Sequence, residues 1–291
     1  MSWRIISIKN QSKLDFKMNY LVVRTAESTT RIHISEISVL MIESTAVSFT
    51  AYLMCELLKN KVKVVFCDEK RNPFGELCSL RGSHDSSRKI REQVKWNEDI
   101  KKAVWAEIVR SKILGQMCNL PASQSEAKVL LQSYLNQIEP GDVTNREGHA
   151  AKVYFNALFG NDFSRDDDNS INAALNYGYA IILSAFNREV ANCGYLTQLG
   201  LFHDNVFNHF NLSCDLMEPF RPFVDRKVCG FPLGDPDFEF KKELIAILND
   251  EVMMNGKRQY MNNAIGIFCK SIFNAIDCGD PSQIYFPEYE L

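Results

Sequence analysis

Hydrophobic spacing divides the chain into two parts. In the first ~80 residues, short β-branched and aromatic runs at 3–8, 14–16, 20–24, 31–34 and 39–42 alternate with clusters of Asn, Ser, Thr and Glu, a pattern that predicts strands. One helix is expected at 46–58, capped by Ser44 or Thr45. A buried strand at 61–67, a turn at 68–73 and a strand at 74–80 follow. From residue 88 the apolar positions recur at helical spacing. The pattern predicts helices at 88–116 (one long helix with Trp96 and Trp105), 123–137, from 144, 170–192 with Gly194 beyond its end, up to about 229, and 261–277. Asn255-Gly256 within 252–260 signals a hairpin. The tail, 278–291, carries two prolines and is expected to be extended, available to a partner. The fold class is therefore α+β: a β-rich domain at 1–80, a polar linker at 81–87 and a larger all-α domain at 88–291.

Composition narrows the function. With 291 residues, 46% apolar and 24% charged, the chain can fill two cores. No apolar run reaches membrane-spanning length, and the start lacks the pattern of an export signal, so a cytoplasmic protein is expected. Nine cysteines, an odd number without a C-x-x-C pair, fit reduced, buried thiols. A net charge of −3 argues against a general nucleic-acid binder, yet residues 81–112 hold nine basic against five acidic side chains. A solvated helix face explains that stretch as well as a phosphate track does.

The candidate chemistry centres on YLTQLGLFHDNVFNHFNLSCDLMEPFRPFVDR, 195–226. His203 ends an apolar run. Ser213 could cap a helix on which Asp215 and Glu218, three apart, share a face. Pro219 lacks an N–H, which would leave the Asp215 carbonyl free, and Arg221 could pair with Glu218 or reach a phosphate. Imidazole with carboxylates suits Mg²⁺ or Mn²⁺. The bland alternative is a satisfied histidine and an acidic first helical turn. Further upstream, Thr144-Asn-Arg-Glu147 has the spacing of a capping box, and the small residues Gly148, Ala150 and Ala151 would suit a crowded helix junction. His33 and His149 read as structural, and Asp166-Asp-Asp168 as a solvated turn. Asn172, Asn176 and Tyr179 form a polar stripe suited to supporting neighbouring helices. There is no Gly-rich phosphate loop, nucleophile elbow, HExxH or internal repeat.

Three segments, NREGHAAKVYF (145–155), SINAALNYGYAIILSAFNREVANCGYLTQLGLFH (170–203) and DLMEPFRPFVD (215–225), resemble the CRISPR-associated spacer-acquisition integrase, Cas1, in the version found beside single-protein (type II-like) effector systems. The resemblance implies a divalent metal, Mg²⁺ or Mn²⁺, held by Glu147, His203 and Glu218, with Asp215 a further acidic position. The same three residues would be catalytic. It implies joining of the 3′-hydroxyl ends of double-stranded DNA fragments into a CRISPR repeat, or cutting where water replaces the hydroxyl. Arg88, Lys89, Arg91, Lys95, Arg165 and Arg221 are the candidate phosphate contacts. It also implies a homodimer formed through the β-rich domain and assembly of two dimers around a small partner, Cas2, with effector or accessory adaptation proteins in a bacterial cytoplasm. Two other readings stay open: a stand-alone nuclease for branched DNA, and a non-catalytic helical DNA-binding scaffold.

Overall fold

A computed structural model describes residues 4–77, 83–231 and 238–289. The chain is α+β and divides into two compact units, Met1–Arg81 and Gly82–Leu291.

The first unit is built from two four-stranded sheets and one helix. Its strands are β1 (Arg4–Ile8), β2 (Ser12–Lys17), β3 (Tyr20–Arg24), β4 (Thr29–His33), β5 (Ile37–Ile42), β6 (Val47–Phe49), β7 (Lys63–Cys67) and β8 (Pro73–Leu77), and helix α1 spans Ala51–Lys59. One sheet runs β1-β5-β7-β8, parallel until β8 turns back; the other runs β4-β3-β2-β6. β5 is buried along its whole length, as the run ISVLMI, apolar but for Ser38, requires. Leu14 and Leu21 from one sheet, Leu40 and Val64 from the other, and Leu53 and Leu57 of α1 share a single core. Helix α1 begins later than its expected start at residue 46. Val47–Phe49 instead pairs in parallel with β2, and Thr50, in extended conformation, caps the helix by accepting from the Leu53 amide at 3.2 Å. The β-branched stretch thus goes to the sheet and the hydroxyl to the cap.

The second unit contains α2 (Ser86–Gln93), α3 (Glu98–Asn119), α4 (Ser125–Leu135), α5 (Arg146–Phe159), α6 (Ser170–Cys193), α7 (Asn211–Met217), a 3₁₀ turn at Glu218–Phe220, α8 (Arg221–Cys229), α9 (Phe238–Ala246) and α10 (Met261–Cys278). A small sheet pairs β9 (Glu251–Met254) with β10 (Lys257–Tyr260) and with β11 (Pro287–Glu288). Asn255 and Gly256 take the positive φ values, 51° and 66°, that their hairpin needs. The expected single helix at 88–116 is two. Residues 94–97 break it, and Asn97 starts α3 by accepting from the Asp99 and Ile100 amides. α3 is the axis of this unit: Trp105, Ile108, Val109 and Ile113 have almost no exposure. Phe186, Phe220 and Phe268 interlock edge to face beside it, with ring centres 5.3 to 6.2 Å apart.

The tail folds back on its own chain rather than standing free for a partner. β11 pairs with β9, and the Tyr289 hydroxyl donates to the Pro219 carbonyl while its ring stacks on Phe223. Of the eight cysteines among the described residues, only Cys67 and Cys269 are buried, whereas Cys55, Cys229 and Cys278 are exposed; Cys78 lies outside the described residues. Among the described residues, no helix is long and apolar enough to cross a membrane.

Candidate functional site

Glu147 enters from the first turn of α5, and the cap there differs from the capping box expected with Thr144. Asn145, at φ 52°, is the cap residue and accepts from the Gly148 amide. The buried Asp142 carboxylate accepts from the Arg146 and Glu147 amides, both at 2.9 Å. With those donors satisfied, the Glu147 side chain is released from capping. It reaches across to the ammonium of Lys112 on α3.

Glu218 meets the same ammonium from the other side, Oε2 to Nζ at 2.5 Å. Lys112 thus bridges two carboxylates that lie far apart in sequence, and its side chain is only 8% exposed. Burial alone would lower its pKa, but Glu147 and Glu218 outweigh that and hold it raised. Burial likewise pushes Glu218 upward, while Arg221 and Lys112 overcome it and hold the carboxyl low. Arg221 pairs with Glu218 Oε1 at 2.9 Å and lies over the Tyr179 ring at 4.5 Å. Glu218 Oε2 is out of water, with the Lys112 ammonium as its close partner.

The local helix differs from the expected one. Ser213 lies inside α7, wholly buried, instead of capping it. The Asp215 carbonyl is not free either: the 3₁₀ turn at Pro219 brings the Glu218 amide onto it. The two acids nonetheless take different partners. Asp215, fully buried, points to the loop before α7 and accepts from the Leu201, Phe202 and His203 amides. It also takes the His203 Nδ1 contact at 2.5 Å, so its oxygens are engaged in holding the imidazole. Gly200 is required here, because a Cβ would lie 2.3 Å from the His203 carbonyl and 2.8 Å from Asp215 Oδ2.

Hydrogen bonding to Asp215 raises the His203 pKa against the effect of burial, and Glu218 and Glu147 add to the rise, which places both within electrostatic reach of the ring. His203 stands edge-on to Trp105, which in turn stacks on Phe202 at 4.5 Å. The loop is anchored from α2: the buried Gln93 amide donates to the Leu196 and Leu199 carbonyls and accepts from the Leu196 amide.

Glu147, His203 and Glu218 therefore converge on one region from three elements. Among the described residues, no three acid, histidine or cysteine side chains stand close enough together to form a ready metal cage. The donor set fits a hard divalent ion on chemistry: two carboxylates already gathered about a positive charge, and an imidazole whose Nδ1 is tied back, leaving Nε2 for a ligand.

The expected phosphate contacts divide. Arg88 pairs with Asp85 and Glu92, Lys89 with Asp85 and the Cys193 carbonyl, and Arg165 with the side-chain oxygens of Asn172 and Asn176. Arg91 and Lys95 stand exposed. The polar stripe on α6 does serve as support, its Tyr179 hydroxyl donating to the buried Asp225. His33 ends β4 half-buried against the Ser35 hydroxyl, and His149 lies by Tyr134. Asp166, Asp167 and Asp168 are exposed.

Sequence reasoning missed Lys112, Gln93, Asp142 and Asn145. Lys112 had a readable signal: Trp105, Ile108, Val109, Ile113 and Gln116 mark a buried face, and Lys112 falls on it. Gln93 and Asp142 had none, since their partners are backbone groups of distant or irregular segments.

These features define a two-unit α+β protein whose helical unit gathers acids and a histidine around a cation. The model of the family "CRISPR associated protein Cas1" matches residues 6–253, and the chain belongs to that family. It is 35% identical over 229 residues to the CRISPR-associated endonuclease Cas1 of Neisseria meningitidis serogroup C, covering 78% of this chain and 75% of that one. It is 25% identical over 273 residues to a Cas1 endonuclease of Francisella tularensis subsp. novicida, covering 86% of each. In fold it resembles a casposase bound to integration product, with a TM-score of 0.76, 16% identity, and coverage of 100% of this chain and 95% of that one. It also resembles a Cas6-RT-Cas1–Cas2 complex, with a TM-score of 0.75, 18% identity, and coverage of 99% of this chain and 36% of the longer one.

Proposed function

We propose that the protein is a metal-dependent DNA endonuclease and integrase of CRISPR adaptation, joining 3′-hydroxyl ends of DNA fragments into a repeat array. The observation that carries this reading is the convergence of Glu147 and Glu218 on one cation beside an Asp215-held His203, in a chain of the Cas1 family.

Glu147, His203 Nε2 and Glu218 would hold Mg²⁺ or Mn²⁺. Such an ion, when bound, lowers the pKa of a hydroxyl nucleophile and offsets charge on the phosphorus being attacked. Asp215 holds the imidazole through Nδ1 and so leaves Nε2 for a ligand. Arg221, clamped between Glu218 and Tyr179, keeps the Glu218 carboxylate oriented and ionised. Arg91 and Lys95 offer exposed charge to the DNA backbone. In strand transfer the incoming 3′-oxygen bonds to a repeat phosphorus as its hydroxyl proton passes to solvent, and the target strand's own 3′-oxygen departs and takes up a proton from solvent to become a hydroxyl. One phosphodiester is exchanged for another, so no nucleoside triphosphate is consumed. Water in place of the hydroxyl gives a cut.

Relatives of the same fold occur in complexes with Cas2, which supports Cas2 as the partner, two dimers of this chain flanking a Cas2 dimer. The type II-like subtype, a bacterial cytoplasmic setting and recruitment by effector or accessory adaptation proteins belong to the same reading.

The test incubates the protein with a DNA fragment, a repeat-bearing plasmid and Mn²⁺, with and without Cas2. Joined products are expected, and Glu147→Ala, His203→Ala and Glu218→Ala should each abolish them while leaving DNA binding largely intact. Bare nicks without joining would favour the stand-alone nuclease. Normal joining by Glu218→Ala would remove that residue from the assignment.

A further inference from the structure

Lys112 stands where the foregoing reading puts a divalent ion. We propose that its ammonium is a resident place-holder for that ion: it keeps Glu147 and Glu218 facing one another in the metal-free protein and is displaced from between them when the metal enters. The proposal rests on the metal-site reading of Glu147, His203 and Glu218.

Four observations converge on it. Lys112 lies on the apolar face of α3 and is nearly sealed from water, with its ion pairs made to the two glutamates expected to be ligands. Two facing carboxylates with no charge between them would repel, so a cation is needed to hold them together. Glu218 Oε2 is sealed from water, so its charge is met by whatever cation occupies the gap, an ammonium or a small divalent ion with bonds of about 2.1 Å. Finally, Glu218 is held independently through Oε1 by Arg221, which is pinned over Tyr179, so the carboxylate keeps its place when the flexible lysine stem moves away.

The consequence is a site that resists loading by metal alone. A divalent ion must compete with an ammonium already in position, and it gains the advantage when a DNA phosphate adds oxygens to its shell. Metal and DNA then bind with positive coupling, each favouring the other.

The sign of one measurement decides. Losing an ordinary outer support of a metal site costs about 10–100-fold in metal affinity; losing a competitor does the opposite. Mn²⁺ binding to the full chain, read by the loss of the free-ion paramagnetic resonance signal, should be about tenfold or more tighter in Lys112→Met than in wild type. Lys112→Arg, whose planar fork grips both carboxylates, should bind Mn²⁺ more weakly. The melting temperature of metal-free Lys112→Met should lie below wild type and rise further on adding Mn²⁺. Unchanged or weaker Mn²⁺ binding by Lys112→Met overturns the proposal. Should that variant not fold, wild-type affinity in Lys112→Arg overturns it instead. If wild type itself binds no Mn²⁺ even with DNA present, and Glu218→Gln behaves identically, the metal-site reading has failed and takes the place-holder with it.

Discussion

A single carboxylate decides how His203 is presented. Asp215 is wholly buried, bonds three consecutive amides and holds the imidazole through Nδ1. The hydrogen bond to Asp215 raises the His203 pKa. A raised histidine contributes stability that is fully present below its unfolded value, near about 6.5, and that is lost as pH rises through the folded value. Asp215→Asn should therefore lose most thermal stability on the acid side of neutrality, with the deficit narrowing at higher pH. Its His203 should titrate lower, as read from imidazole nitrogen shifts; an unchanged titration would show that the pair does not set the pKa. The sequence displayed both residues and the spacing L-G-x-x-H, but not which job each does. Asp215 and Glu218 sit three apart, yet the first is bonded to the histidine loop and the second to Lys112, a division set by partners from distant segments.

The elements were mostly legible because their hydrophobic periods are strong: β5 is apolar but for Ser38, α6 ends on a left-handed Gly194, and Asn255-Gly256 turns its hairpin. What was not legible was decided between segments. Residues 47–49 could open a helix or add a strand, and pairing with β2 settles it. The break before α3 depends on Asn97 capping rather than pointing into solvent. The tail needed β9 to pair with. At this scale Tyr289 ties the tail to the Glu218 turn by donating to the Pro219 carbonyl. Tyr289→Phe should cost about 1 kcal/mol in urea unfolding, and Tyr289→Ala roughly 3 kcal/mol or more because its ring also packs on Phe223. Equal, negligible effects would mean the tail merely rests on the surface.

At the scale of the whole chain, both units leave large apolar side chains at 60% exposure or more, Met18, Tyr52 and Phe74 on the first and Val129, Val206 and Phe207 on the second. The second unit carries the acid and histidine site. If the chain dimerises through its first unit, as the Cas1 resemblance implies, replacing Tyr52 and Phe74 with charge (Tyr52→Glu with Phe74→Glu) should give a monomer by light scattering. A dimer that survives would move the interface elsewhere. The net −3 of the chain also stops being an argument against DNA, since much of the basic charge is already spent on internal partners and only local positions such as Arg91 and Lys95 need meet a phosphate.

The bond from Tyr289 to the Pro219 carbonyl also bears on what happens to broken molecules. A chain lacking Tyr289 would keep Glu147, His203 and Glu218 yet lose the contact that bolts down the turn carrying Glu218.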